Sequence, residues 1–215
     1  FQMYSLDNTY SDTELETWFN RIAKLIQVDD FEFCCELKYD GASVNLLYED
    51  GQLVRALTRG DGYQGDNITN NLKTINSVPL KLKNKFFPNK FEIRGEIIIP
   101  SDAFNSLNEK RKQIGLPLFM NPRNTASGSI KLLDSKEVAR RPLECFLYSV
   151  VSNDINIYNH SELLDSARNM GFNVPNYEKV VKGLDAVKKY INYWDTNRQN
   201  LPFEIDGIVI KVNSI

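Results

Sequence analysis

Three stretches of this chain combine strand-forming apolar residues with charges that a buried strand should exclude. They are FEFCCELKYDG at 31–41, FEIRGEIII at 91–99 and FEIDGIVIKV at 203–212. β-Branched and aromatic residues at this density select extended backbone, whose side chains alternate between two faces. In FEIRGEIII, Arg94 and Glu96 then share one face, opposite Ile93, Ile97 and Ile99. FEIDGIVIKV is expected to do the same with Glu204, Asp206 and Lys211, the last after an apolar run. Charges held this way either decorate a sheet edge or line a polar site between two sheets.

The rest of the chain supplies helices and further strands. Ser11 followed by Glu14 has the capping-box form, and Leu15, Trp18, Phe19, Ile22, Leu25 and Ile26 fall on one stripe, which predicts a helix over 11–26. Strands are expected at 31–37, 43–48 and 53–58, the last two joined at Asp50-Gly51 as in a type I′ hairpin. TRGDGYQG at 58–65 carries three glycines in eight residues, a loop with close backbone approach. A short helix at 67–74, a strand at 91–99 and a helix capped by Ser101 follow. Residues 121–134 begin as a polar turn and end helical, and 143–151 is a buried strand. Helices at 161–170, closed by Gly171, and at 184–194 precede the last strand. Strands and helices mix without regular alternation, so the fold class is α+β.

Composition narrows the function. With 215 residues and 42% of them hydrophobic, the chain can bury a core without staples. Twenty-six basic residues against 28 acidic ones leave a net charge of −2, so any nucleic-acid grip must be a local groove or lie on other domains. Cys34, Cys35 and Cys145 show no metal-ligand spacing, and adjacent strand cysteines point to opposite faces. Free thiols fit a reducing compartment. No apolar run approaches the roughly 18 residues of a membrane span. The start is not a signal peptide, and the missing initiator Met and the end within IVIKVNSI are expected of an excised piece.

The sharpest chemical segment is Glu36-Leu37-Lys38-Tyr39-Asp40-Gly41. Lys38 and Asp40 share one face, and Gly41 permits a tight turn. An amine nucleophile would need such a carboxylate, and nearby cations or burial to help it shed its proton. Taken alone, the tetrapeptide reads more simply as a plain surface Lys–Asp pair before a turn. Arg59 amid glycines suits a phosphate or ribose, and Asn121-Pro122-Arg123-Asn124 opening a helix suits an anion or a bare helix start. His160, the only histidine, reads as a solvated helix flank, while Trp18 and Trp194 read as core.

Taken together these segments resemble the adenylation (nucleotidyltransferase) domain of bacterial NAD-dependent DNA ligases. The resemblance runs through SLDN at 5–8, ELKYDG at 36–41, TRGDGYQGDNITNN at 58–71 and IRGE at 93–96. It continues through NPRNTASGS at 121–129, LYSV at 147–150 and LPFEIDGIVIKVNS at 201–214. It implies an ATP-grasp-like nucleotidyltransferase fold, two mainly antiparallel sheets forming a nucleotide cleft flanked by helices. One adenylation domain would occupy residues 1–215. The family's N-terminal domain for nicotinamide mononucleotide (NMN), OB-fold, zinc finger, helix-hairpin-helix and BRCT regions would be absent, leaving the isolated piece impaired.

The resemblance also implies roles. Lys38 would attack the adenylyl phosphorus of NAD, release NMN and carry AMP as lysyl-AMP for a DNA nick. Glu36 and Lys211 would meet the adenine edge, Tyr148 its face, and Glu96 the ribose hydroxyls, with Arg59 near ribose or phosphate. Ser5 and Leu6 would line the pocket entrance. Asp40 and Asp206 would tune Lys38 or hold hydrated Mg2+ (or Mn2+), without zinc in this piece. Arg123, Lys131 and Arg198 would handle phosphate and DNA; Lys131 stands where the family often carries Arg, so a bidentate contact becomes a point charge. Nicked duplex would be bound weakly by a monomer, in the bacterial cytoplasm with the nucleoid. An ATP- or GTP-dependent nucleotidyltransferase of the RNA-ligase or capping type is one alternative, a silent nucleotide-binding domain another.

Overall fold

The computed structural model describes residues 3, 6–27, 31–82 and 88–214. Seven strands form two antiparallel sheets among these residues. The first has the order β6-β1-β7, built from β1 (Glu32–Tyr39), β6 (Lys179–Lys182) and β7 (Ile205–Val212). The second has the order β3-β2-β4-β5, built from β2 (Ala42–Glu49), β3 (Gln52–Thr58), β4 (Lys90–Ile98) and β5 (Glu144–Val151). The helices are α1 (Asp12–Ile26), α2 (Thr69–Leu72), α3 (Ser101–Gln113), α4 (Pro122–Ile130), α5 (Ser135–Ala139), α6 (His160–Asn169) and α7 (Leu184–Asn197).

β1 explains why the sheets sit together. Its alternation sends Cys34 and Cys35 into different hydrophobic clusters, both fully buried. Phe33 and Cys35 pack with Leu15, Trp18 and Phe19 of α1 and with Val187 and Tyr190 of α7. Cys34 joins the larger core, where Val44, Leu46, Ile93 and Leu147 of the second sheet meet α4 and α6. A third cluster of Leu37, Ile98, Phe146, Phe203 and Ile205 ties the two sheets together, with edge-on rings at Tyr39–Phe146 and Phe146–Phe203. The chain then crosses from one sheet to the other through Asp40-Gly41, which begins two residues after Lys38.

The helix and turn chemistry follows the sequence with local differences. Ser11 caps α1 by accepting from the Glu14 N–H at 3.3 Å, but the Glu14 carboxylate returns to the Tyr10 N–H. Asp50 and Gly51 both have positive φ, 48° and 74°, as a type I′ turn requires. Ser101 is the first residue of α3 rather than its cap; Pro100 holds the cap position without a side-chain bond. Strand β6, four residues long, gave no periodic signal. Trp18 and Trp194 pack as core, as expected.

Phe33 is fully buried and touches the rings of Trp18, Phe19 and Phe31. Phe33→Ala is expected to lower unfolding free energy by about 3–5 kcal/mol, read by urea denaturation.

Candidate active site

The cleft between the sheets has a volume of about 630 Å³ and is lined by Glu36, Lys38, Arg59, Glu96, Tyr148 and Lys211, among others. Register accounts for its floor. Antiparallel partners share a face, and Cys34↔Lys211, Glu36↔Val209 and Lys38↔Gly207 are opposite one another. Asp206 and Lys211 are five apart, so in an uninterrupted strand they would point to opposite sides. A bulge resolves this: Lys38 pairs with Gly207 and Tyr39 with Ile205, leaving Asp206 as the extra residue. Gly207 takes φ 138°, a conformation glycine adopts without strain. The Asp206 carboxylate then forms an ion pair with the Lys38 ammonium, which holds the Asp206 carboxyl below the usual range. Glu204, expected on the same face, precedes the strand and is exposed.

The mouth of the cleft is a chain of charges. Asp40 accepts from Arg123 at 2.7 Å, and the backbone N–H of Asp40 donates to the Glu204 backbone carbonyl at 3.1 Å. Arg123 stands on the first turn of α4, which Asn121 caps by accepting from the Asn124 N–H at 2.7 Å. Lys131 ends the same helix and pairs with Asp66 at 2.8 Å. Arg198 does not line the cavity; its guanidinium donates to the Ile205 carbonyl at 2.6 Å and its charge favours ionised Asp206. Leu6, 58% exposed, borders the cleft. Ser5 lies outside the described residues. The glycines around Arg59 close the loop on itself: a Cβ on Gly60 would lie 1.7 Å from the Gln64 carbonyl oxygen.

Deeper inside, two buried carboxylates differ in their surroundings. Burial alone would raise Glu36, but Lys211 and His160, each 2.8 Å from Oε1, reverse that and hold its carboxyl below the usual range. Glu96 accepts from the Ser43 hydroxyl at 2.8 Å and has Arg123, Lys38 and Arg59 only as more distant cations. Burial therefore prevails and pushes Glu96 up to about 7. Lys211 also donates to the Tyr148 carbonyl at 3.0 Å, and its ammonium lies 5.6 Å from the centre of the half-buried Tyr148 ring. His160 corrects the solvated-flank expectation, being only 7% exposed. Its position was legible after all: 160, 163, 164 and 167 form one i, i+3, i+4, i+7 stripe, and all four are buried. Cys34, Glu36 and His160 bring three metal-ligand-type atoms within 4.8 Å of one another, but the Lys211 ammonium already supplies a cation there.

The site is thus a lysine paired to a carboxylate at the mouth of a two-sheet cleft, with an acceptor and a donor buried behind it. Residues 1–215 match the NAD-dependent DNA ligase adenylation domain, and the chain belongs to that family. It is 54% identical over 215 residues to a DNA ligase of Flavobacterium johnsoniae and 49% identical to one of Phocaeicola vulgatus. Each match covers 100% of this chain and 32% of the relative, so the chain spans about a third of those proteins. The solved chain Pmar-Lig_Pre shares the fold with a TM-score of 0.51 and 12% identity, over 92% of this chain and 47% of that one.

Glu96 gives a stability signature. Its carboxyl titrates near 7 when folded against 4.5 in the free side chain, so the folded state keeps a proton that the unfolded chain has released. Unfolding free energy should therefore fall as pH rises from 4.5 towards 7. Glu96→Gln is expected to flatten that slope, measured by denaturant titration across the window.

Proposed function

We propose that this chain is the adenylation module of a DNA-sealing enzyme, in which Lys38 becomes covalently charged with AMP from NAD. The observation that carries the reading is the placement of Lys38 beside Asp206, at the mouth of a cleft whose depth holds Glu36, Lys211 and Tyr148. Once the Lys38 ammonium has shed a proton to solvent past its partner Asp206, Nζ attacks the adenylyl phosphorus, a P–N bond forms, the P–O bond to NMN breaks, and NMN leaves as its phosphate, which can take up the second amine proton. Glu36 and Lys211 meet the adenine edge, Tyr148 its face, and Glu96 the ribose hydroxyls. Arg59, Arg123, Lys131 and Arg198 balance phosphate charge, where phosphoryl-type transfer gains most. Leu6 lines the entrance.

Mg2+, or Mn2+ in its place, would be held through water by Asp206 and Asp40. The half-exposed Asp206 side chain offers hard oxygens with room for a hydration shell, which Mg2+ gives up reluctantly. Bound there, the ion adds positive charge beside the phosphoryl oxygens. Lysyl-AMP then passes AMP to the 5′-phosphate of a nick, and the neighbouring 3′-hydroxyl displaces AMP as the phosphodiester forms. The net charge of −2 supports weak nick binding by this module, a monomer, with the main grip elsewhere in the protein. Residues 1–215 would be one domain among several, working in the cytoplasm where the nucleoid lies. No helix among the described residues is long and apolar enough to cross a membrane.

Incubation with NAD and Mg2+ should add the mass of one AMP to the protein with release of NMN, and Lys38→Ala should abolish the gain. Labelling by ATP or GTP with pyrophosphate release would point to the triphosphate-dependent alternative. An AMP adduct that persists in Lys38→Ala would refute the assignment of the nucleophile.

A further inference from the structure

Glu36, His160 and Lys211 form a triangle in which the three close contacts cannot all be hydrogen bonds. Lys211 Nζ lies 2.8 Å from Glu36 Oε1 and 3.0 Å from His160 Nε2, while Nε2 lies 2.8 Å from the same Oε1. An ammonium only donates and a carboxylate only accepts. Nε2 can therefore donate to Glu36 or accept from Lys211, and satisfying one contact leaves the other unmade. Glu36 is 6% and His160 7% exposed, so little water reaches the atoms to relieve this.

The histidine is also fixed from behind. Its backbone N–H donates to the Asn213 carbonyl at 2.7 Å, and the Ser161 N–H donates to Asn213 Oδ1 at 3.0 Å. Asn159 and Ser214 pair in an isolated bridge. The start of α6 is thereby fastened to the end of β7, two residues beyond Lys211. His160 cannot drift from the pair without loosening both elements.

We propose that His160 is a positioning residue that holds the Glu36 carboxylate and the Lys211 ammonium as one acceptor–donor pair, so that the cleft selects a 6-aminopurine over a 6-oxopurine. This rests on the reading that the cleft takes the adenine of NAD. Adenine presents an amino donor beside a ring-nitrogen acceptor, which complements a carboxylate beside an ammonium. Hypoxanthine presents a carbonyl acceptor beside a ring N–H and sets like against like at both atoms. Both protein contacts use Oε1 of Glu36, so Oε2 is the oxygen that can turn to the amino group. With Nε2–H committed to Glu36, Lys211 is the donor left for the ring nitrogen. Its bond to the Tyr148 carbonyl keeps that ammonium beside the ring expected to cover the base.

The test compares NAD with nicotinamide hypoxanthine dinucleotide in the full-length protein that carries this chain, following mass gain on Lys38. Wild type should favour NAD by about 10²-fold or more. His160→Ala should raise the KM for NAD about tenfold and cut the preference about tenfold, while the rate at saturation falls by less than KM rises. Gln places its amide nitrogen near the Nε2 position and Asn nearer Nδ1. His160→Gln should keep most of the preference and His160→Asn lose it, a comparison that stands even if the alanine variant does not fold. An unchanged preference in His160→Ala, or equal behaviour of the Gln and Asn variants, overturns the proposal. Wild type that charges Lys38 equally from both dinucleotides would instead defeat the adenine reading, before any substitution is made.

Discussion

The antiparallel pairing of β1 with β7 is the contact on which the site depends. It joins residues 33–39 to residues 205–212, nearly the whole length of the chain apart. One register brings Lys38 beside Asp206 and Glu36 beside Lys211, with the bulge at Asp206 correcting the odd spacing. A one-residue slip would turn the cleft face of β1 into its core face. Such a slip is opposed from both sides, because Phe33 and Cys35 are buried against α1 and α7 while Cys34 is buried in the larger core. The packing that stabilises the fold is thus what holds the charged groups in place.

The two buried carboxylates show how environment separates roles. Glu36 is taken out of water together with a cation and a histidine, and the cost of burying its charge is met by direct contacts. Glu96 is nearly as buried but has a hydroxyl as its near partner, so its charged form is disfavoured. The first arrangement suits a fixed pattern of donor and acceptor facing a planar base. The second suits a group whose charge is completed by ligand hydroxyls and by the cations that line the mouth.

Much of this was legible in the residues alone. Arg94 and Glu96 of FEIRGEIII and Lys211 of FEIDGIVIKV do line a site between two sheets, whereas Glu204 precedes its strand and is exposed. The Asp50-Gly51 hairpin and the Asn121-Pro122 helix start follow from local backbone chemistry. Two things escaped. The bulge at Asp206–Gly207 is a property of pairing with β1, which no local pattern records. His160 reads as a flank only if its helix starts at Ser161; the helix starts at His160 itself, which shares the buried stripe of Leu163, Leu164 and Ala167.

That one amine, Lys38, carries the nucleotide is the proposal on which the rest turns, and a crystal structure of the protein trapped after reaction with NAD tests it. Continuous density is expected from Lys38 Nζ to the phosphorus of AMP, with the base between Tyr148 and β7 and its six-amino edge at Glu36 and Lys211. Density joining AMP to any other side chain, or a base lying outside the cleft while Lys38 remains paired with Asp206, would contradict it.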